Sequence, residues 1–146
     1  MNLLDVNVLL ALLWPTHPDF EVADAWFRAN SRAGWATCAI TQSGFIRISA
    51  QKSFRHSDRP IADIADGLDK ATAGSSHRFL KIDFPFKTVR ETCTGGVVGH
   101  RQITDAYLLT LAIKNKAKFI SLDAGVRQLL ATELERKRHL VILHSE

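Results

Sequence analysis

Residues 1–15 read MNLLDVNVLLALLWP, an apolar run that Asp5 and Asn7 interrupt. Burying an unpaired carboxylate costs several kcal/mol, so the interruption needs a structural or chemical reason. Two explanations fit this stretch: Asp5 caps the helix that starts after it, or Asp5 is a metal ligand at the end of a buried strand. The pattern predicts a strand at residues 2–6 and then a short apolar helix, which Pro15 ends.

Apolar segments that end abruptly recur along the rest of the chain, separated by segments of helical periodicity. This alternation is typical of buried parallel strands and their crossover helices, and it predicts an α/β fold. Further strands are predicted at residues 34–40, 78–83, 117–122 and 139–144. Further helices are predicted to begin near Pro18, at the caps Thr41 and Thr104, and at Pro60 and Pro85, with a last one over residues 125–137.

The length of 146 residues predicts a single domain over residues 1–146. No apolar stretch approaches the ~18 residues that cross a bilayer, and no signal peptide is recognisable, so we expect a cytoplasmic protein with no membrane contact. Cys38 and Cys93 are then reduced core thiols. The net charge of +4 suits a polyanionic partner.

Three aspartates follow predicted strands or begin a predicted helix. Asp5 and Asp123 each end an apolar strand, and Asp105 lies one residue inside a helix that follows a loop. Because the carboxyl ends of parallel strands form the ligand crevice of an open sheet, these acids are expected at one edge. Converging carboxylates repel one another and favour a hard cation such as Mg²⁺ or Mn²⁺. The alternative is that Asp105 and Asp123 only start helices.

Four segments in this order carry a resemblance to a known family: LLDVNVLLAL (3–12), TQSGFIRI (41–48), GHRQITDAYLLTLA (99–112) and FISLDAGV (119–126). Together they resemble the motifs of PIN-domain ribonucleases, and most of all the VapC-type toxins of bacterial type II toxin-antitoxin systems. The resemblance implies a three-layer α/β/α fold with a central parallel sheet of four to five strands. It also implies an acidic pocket for Mg²⁺ or Mn²⁺ and endonucleolytic cleavage of RNA that leaves a 5′-phosphate and a 3′-hydroxyl.

The same resemblance implies roles for individual residues. Asp5, Asp105 and Asp123 are similar to the first, third and fourth acids of the family, which hold the metal ion. Asn7 and Thr104 are expected to orient these ligands. Arg101, beside the third acid, and Arg47, close to Gln42 on the same helix, are candidates for contacts with RNA phosphates.

Gln42 falls where the family usually has its second acid. A carboxamide keeps an oxygen for a metal or a water but removes one negative charge, so affinity for a divalent ion should fall. Asp83, at the end of the third predicted strand, either compensates for this charge or caps the helix that Pro85 opens.

Three other functions remain open from the sequence. The change at Gln42 is compatible with a PIN-fold module that binds RNA or protein without cutting. A haloacid-dehalogenase-type phosphatase also has an Asp after its first strand, but Asn7 replaces its second acid and its later acid pair is missing. A phosphoacceptor receiver domain would need a lysine after a late strand, and none follows Asp123 there.

Large apolar side chains near the first two helices bear on partners. Trp14, Phe20 and Trp26 either complete the core or line a groove for another chain. The resemblance favours a groove for a segment of a cognate antitoxin, and it also implies a homodimer.

Overall fold

Five short apolar segments form one parallel sheet in the computed structural model, which describes residues 1–54 and 58–144. The strands are β1 (Asn2–Leu4), β2 (Trp35–Cys38), β3 (His77–Leu80), β4 (Lys118–Ser121) and β5 (Leu140–Ile142). All four pairings are parallel, and the strand order is β3-β2-β1-β4-β5. From the centre of the sheet, β1, β2 and β3 follow one another towards one side, and β4 and β5 follow towards the other. The strand order therefore reverses between β1 and β4, and the carboxyl ends of these two strands are the expected ligand crevice.

Seven α-helices connect the strands in the described residues. They are α1 (Val6–Leu13), α2 (Phe20–Asn30), α3 (Ala39–Ser49), α4 (Ile61–Ala71), α5 (Phe86–Thr92), α6 (Ile103–Lys114) and α7 (Glu133–His139). Short 3₁₀ segments lie at Ser31–Ala33, His100–Gln102 and Ala124–Leu129.

Each face of the sheet carries its own apolar core. Leu3, Ala36 and Phe119 belong to a cluster with α5 and α6, whereas Leu4 and Ile120 belong to a cluster with α1, α3 and α4. Adjacent strand residues supply opposite faces, as the two-residue period of a strand requires. Two covered faces make the architecture a three-layer α/β/α fold with a central parallel sheet, as predicted.

Several predicted element boundaries are wrong. The helix expected over residues 125–137 is a 3₁₀ segment followed by α7, because Thr132 and Glu135 form a capping box that starts a new helix. Thr41 does not cap α3: it lies in the first turn, and its hydroxyl accepts from the Cys38 backbone N–H at 2.9 Å. Thr104 does not cap α6 either, since that helix begins at Ile103.

The two cysteines belong to the core, as predicted. Cys38 and Cys93 are free, buried thiols. Trp14 and Trp26 pack against the core cluster beneath α1 and α3, and Trp14 Nε1 donates to Ser49 Oγ at 2.9 Å. Within residues 1–54 and 58–144, no helix has both the length and the apolarity needed to cross a bilayer.

A glycine allows α3 to approach α1 closely beside the carboxyl end of β1. A Cβ at Gly44 would lie 2.7 Å from Cγ2 of Val6, a separation that real contacts do not reach. Val6 directly follows Asp5, so this contact fixes the position of α3 relative to the edge of the sheet where Asp5, Asp105 and Asp123 are predicted to lie. We call this edge the acidic edge.

Candidate active site

The central strand β1 and its neighbour β4 bring two aspartates to the same edge. Leu4 pairs with Ile120 in register, and the backbone N–H of Asp5 donates to the Ile120 carbonyl at 2.9 Å. Asp123 follows β4 two residues after its last strand residue. Both acids therefore lie at the point where the strand order reverses.

Asp5 is 6% exposed, and both of its carboxylate oxygens accept hydrogen bonds. Oδ1 accepts from the backbone N–H of Val6 at 2.7 Å, which makes Asp5 the N-cap of α1. Oδ2 accepts from the hydroxyl of Ser121 at 2.6 Å. These bonds stabilise the ionised form of a carboxyl that burial otherwise disfavours. Asp5 therefore caps α1 and also lies at the acidic edge, so the two explanations of Asp5 are compatible.

Ser121, the last residue of β4, links the carboxylate of Asp5 to Asn7 and to the backbone of Asp123. Its hydroxyl donates to Asp5, and its oxygen accepts from Asn7 Nδ2 at 3.1 Å and from the backbone N–H of Asp123 at 3.0 Å. One donor and two acceptor sites are all that a hydroxyl has, so Ser121 is fully used. Sequence analysis missed this residue, although the motif FISLDAGV contains it.

Asn7 binds the end of β4 through both ends of its amide. Nδ2 donates to Ser121, and Oδ1 accepts from the backbone N–H of Leu122 at 3.1 Å. The side chain thus connects the first turn of α1 to β4 and slightly opposes the rise in the pKa of Asp5 that burial causes. These contacts are those expected of a residue that orients a neighbouring carboxylate.

Asp105, in the first turn of α6, interacts electrostatically with both other acids. Partial burial, and then the charges of Asp5 and Asp123, raise its pKa from 3.8 to about 7. Burial likewise raises the pKa of Asp5, with a further contribution from Asp123 that the hydrogen bonds from Ser121 and Val6 oppose. The three carboxylates predicted to converge therefore lie within reach of one another's charge.

Asp123 is the exposed member of the three. Its Oδ1 accepts from the backbone N–H of Gly125 at 2.8 Å and so caps the following 3₁₀ segment. Its backbone is tied to Ser121, and its charge acts on both other aspartates. Asp123 thus starts a helical segment and also belongs to the acidic edge.

The three aspartates have the chemistry of a divalent cation site. Oxygen-only donors suit Mg²⁺ or Mn²⁺, and a cation would offset the burial and the repulsion that together keep Asp105 partly protonated near pH 7. In the part of the chain that the structure describes, no three His, Cys, Asp or Glu side chains are placed so that they could hold one metal ion together. Mg²⁺ keeps several water ligands and binds through few carboxylates, so such an open arrangement fits it.

Gln42 makes its described hydrogen bond away from the carboxylates. Its Nε2 donates to Thr37 Oγ1 on β2 at 2.9 Å, and the same oxygen lies 2.8 Å from Nε2 of His77 on β3. Burial lowers the pKa of His77, against a hydrogen bond to the Thr72 backbone. When His77 is neutral, its Nε2 can accept a hydrogen bond from the Thr37 hydroxyl, while the Thr37 oxygen accepts one from Gln42. Sequence reasoning missed Thr37 and His77.

The remaining predicted residues lie at the surface. Thr104 is exposed in the first turn of α6, and Arg101 is exposed in the 3₁₀ segment just before it. Arg47 is exposed in the last turn of α3. Asp83 is exposed and lies three residues beyond the end of β3, because that strand is shorter than predicted. The N-cap of α5 is Pro85, so Asp83 does not cap that helix.

Comparison with known proteins decides the family. The family model described as "PIN domain" matches residues 3–129. The chain belongs to the PIN-domain family.

Relatives of this PIN domain are of the VapC type. Ribonuclease VapC38 of Mycobacterium tuberculosis (strain ATCC 25618 / H37Rv) is 41% identical over 126 residues, covering 86% of this chain and 87% of the relative. Ribonuclease VapC44 of Mycobacterium tuberculosis (strain CDC 1551 / Oshkosh) is 38% identical over 141 residues, covering 97% and 98%. The resemblance read from the four motifs is thereby confirmed.

A solved structure is similar in fold to this PIN domain. The crystal structure of VapBC2 from Rickettsia felis bound to a DNA fragment from their promoter aligns with a TM-score of 0.60 at 12% identity and covers 98% of both chains. At that identity the likeness concerns the fold alone. The family assignment decides against the phosphatase and receiver-domain alternatives.

Proposed function

We propose that this chain is a metal-dependent endoribonuclease that acts as the toxin of a toxin-antitoxin pair. The observation that carries the proposal is the electrostatic contact among Asp5, Asp105 and Asp123 at the point where the strand order reverses. The names of the VapC relatives, which are ribonucleases, support RNA as the substrate.

Asp5, Asp105 and Asp123 would hold the metal ion, Mg²⁺ or Mn²⁺. When bound, such an ion supplies a water of lowered pKa and neutralises charge on a phosphodiester. Asp105, which is about half protonated near pH 7, would have to lose its proton to act as a ligand. The family resemblance leads us to expect hydrolysis to a 5′-phosphate and a 3′-hydroxyl.

The other residues of the chain orient the acids and the substrate. Ser121 and Asn7 fix the carboxylate of Asp5 against rotation, because each of its oxygens has a donor and Ser121 itself is held by Asn7. We assign ligand orientation to Thr104 as well. Arg101 and Arg47 are proposed to pair with RNA phosphates, as exposed guanidinium groups do.

A cognate antitoxin protein is the proposed regulatory partner. The similar structure from Rickettsia felis is that of VapBC2, and this supports an antitoxin for the present chain. An apolar groove of about 220 Å³ lies between α1 and α2 and includes Leu12, Leu13 and Phe27, and we assign it to an antitoxin segment. Trp14, Phe20 and Trp26 are half-buried near these helices. Homodimer formation and a cytoplasmic location complete the proposal.

Cleavage of a 5′-labelled RNA tests this function. The wild type should cut with Mg²⁺ or Mn²⁺ and not with EDTA, and Asp5→Asn and Asp105→Asn should abolish cutting. Asp66→Asn is the matched control, because Asp66 is an exposed acid on α4, outside the acidic edge. Equal cleavage by all proteins, or cleavage in EDTA, would refute the metal mechanism.

A non-cutting PIN module is the alternative that Gln42 leaves open, since an amide stands where the family usually has its second acid. Calorimetric titration with Mn²⁺ separates the two functions. Uptake of an ion that Asp105→Asn weakens supports the nuclease. An edge that takes up no ion at millimolar concentration, in a protein that still binds RNA, supports the module.

A further inference from the structure

A second cleft lies at the opposite edge of the sheet from the three aspartates. It has a volume of about 570 Å³, and its wall comes from the start of β1, the end of α2, the turn before β4 and the junction of α7 with β5. Asn2, the first residue of β1, lines it, whereas Asp5 follows the last residue of that strand. The cleft is therefore separate from the acidic edge.

Positive charge is concentrated in this cleft. Its lining residues include Lys116, Lys118, Arg138 and His139, and among the described lining residues there is no Asp or Glu. Lys118 Nζ donates to the Lys137 carbonyl at 3.2 Å, which holds this ammonium beside α7. The pKa of His139 is lowered by burial and then by Arg138; Glu135 opposes this effect, and Lys118 adds a smaller lowering. Arg138 and Lys118 thus both act electrostatically on His139.

Lys116 occupies a backbone position that normally selects glycine. Its φ is 55°, and among the described non-glycine residues it alone has a positive φ. The N–H of Ala117 bonds to the Ala112 carbonyl at 2.8 Å and that of Lys116 to Ile113 at 3.1 Å, which is the Schellman ending of α6. Glycine adopts this left-handed conformation without steric cost, but lysine does not. The chain carries a strained residue there, and that residue supplies an ammonium to the cleft.

Groups suited to nucleotides accompany the cations. The half-buried Trp26 and the polar residues Asn2 and Asn30 also line the wall. Cations that follow a backbone, together with an aromatic surface, are the features by which proteins hold single-stranded nucleic acid. We propose that this cleft is a second RNA-binding site, which holds the phosphodiester backbone of the substrate through Lys116, Lys118 and Arg138.

The site deepens the proposed function and rests on it, because it assigns the RNA a second contact away from the point of cleavage. The acidic edge repels a polyanion when no metal ion is bound, whereas the cleft attracts one. RNA held at the cleft stays near the protein while a second segment of the same strand reaches the acidic edge.

Binding of a short fluorescein-labelled single-stranded RNA, measured by anisotropy in EDTA, tests the cleft without requiring cleavage. The logarithm of the association constant for RNA falls linearly with the logarithm of the salt concentration. Each lost phosphate contact should reduce the magnitude of this slope by about 0.7 and weaken binding about fivefold at about 0.1 M salt. Lys116→Gly and Arg138→Gln should each show this loss. Lys116→Arg should retain binding, and Lys70→Gln, which removes a lysine on α4 outside the cleft, should change neither quantity.

Thermal unfolding of the same variants separates binding from structural damage. Lys116→Gly relieves the left-handed strain, so its melting temperature should rise by about 2–4 °C while RNA binding weakens. A variant that is more stable yet binds less cannot owe the loss to misfolding.

Three results would overturn the proposal. The first is an unchanged salt slope of RNA binding in Lys116→Gly, and the second is an equal loss of RNA affinity in Lys70→Gln. The third is a cleft variant that changes its oligomeric state but binds RNA as the wild type does. Failure of the active-site proposal gives a different pattern, in which RNA binds through the cleft but is not cut with Mg²⁺ or Mn²⁺.

Discussion

Replacing Asp105 by asparagine should stabilise the metal-free protein at alkaline pH. The pKa of this carboxyl is raised from 3.8 to about 7, so the native state binds more protons than the unfolded state between these values. The free energy of unfolding of the wild type therefore falls as pH rises through 7. Asp105→Asn keeps the size of the side chain and removes the charge, so this pH-dependent loss should disappear.

The size of the effect follows from the same shift. A rise from 3.8 to about 7 corresponds to about 4 kcal/mol above pH 7 for a fully buried group. Asp105 is only partly buried, and solvent screening reduces this to about 2 kcal/mol. Its favourable interaction with the N-terminus of α6, about 0.5 kcal/mol, is also lost. We therefore expect a net gain of about 1.5 kcal/mol at pH 8 and little change at pH 4.

Urea unfolding at pH 4 and pH 8, with EDTA or Mg²⁺, measures this gain. Mg²⁺ at about ten times its Kd should stabilise the wild type by about 1.4 kcal/mol, and Asp105→Asn by much less. Asp66→Asn on the surface of α4 is the control and should show neither effect. A variant less stable than the wild type at pH 8 in EDTA would refute the electrostatic crowding, and so would equal stabilisation of both by Mg²⁺.

Three further substitutions test individual contacts. Ser121→Ala removes the hydroxyl that donates to Asp5, so urea unfolding at pH 7 should show a loss of about 2 kcal/mol; no loss would contradict the role of that hydrogen bond. A glutamate in Gln42→Glu can only accept, so the Thr37 hydroxyl should turn to it and leave Nε2 of His77 to be protonated. NMR titration should show a raised His77 pKa, and an unchanged pKa would refute this network. Gly44→Ala should destabilise α3 by about 1 kcal/mol in thermal unfolding despite the better helix propensity of alanine, because the methyl group has no room; a stabilised variant would contradict the close packing.

The architecture and the positions of the aspartates at the end of the sheet could be predicted from the sequence, because both depend on local patterns. A parallel strand that ends in an aspartate places it at the carboxyl edge whatever the register, so Asp5 and Asp123 were predictable from their own segments. Asp105 follows no strand directly, and its place at the same edge was predicted because it lies one residue inside a predicted helix that follows a loop.

Contacts that depend on register could not be predicted. Ser121 reaches Asp5 across 116 positions of sequence, and only the pairing of β1 with β4 shows that the two side chains meet. The link from Gln42 through Thr37 to His77 depends in the same way on the pairing of β2 with β3.

Local signals were also misread. The capping box of Thr132 and Glu135 is visible in the sequence as T-x-x-E, yet continuous helical periodicity concealed it. Ile61 has helical spacing with the buried Ile64 and Leu68, a pattern that favours an inward position, yet it lies in the first turn of α4 and is 62% exposed.

Calorimetric titration with Mn²⁺ near pH 7, in buffers of different ionisation enthalpy, tests the acidic site most directly. With a pKa of about 7 at Asp105, binding should release about half a proton per ion, and the release should vanish in Asp105→Asn together with most of the affinity. Absence of binding at millimolar Mn²⁺, or equal affinity in the wild type and Asp105→Asn, would contradict a cation site formed by Asp5, Asp105 and Asp123.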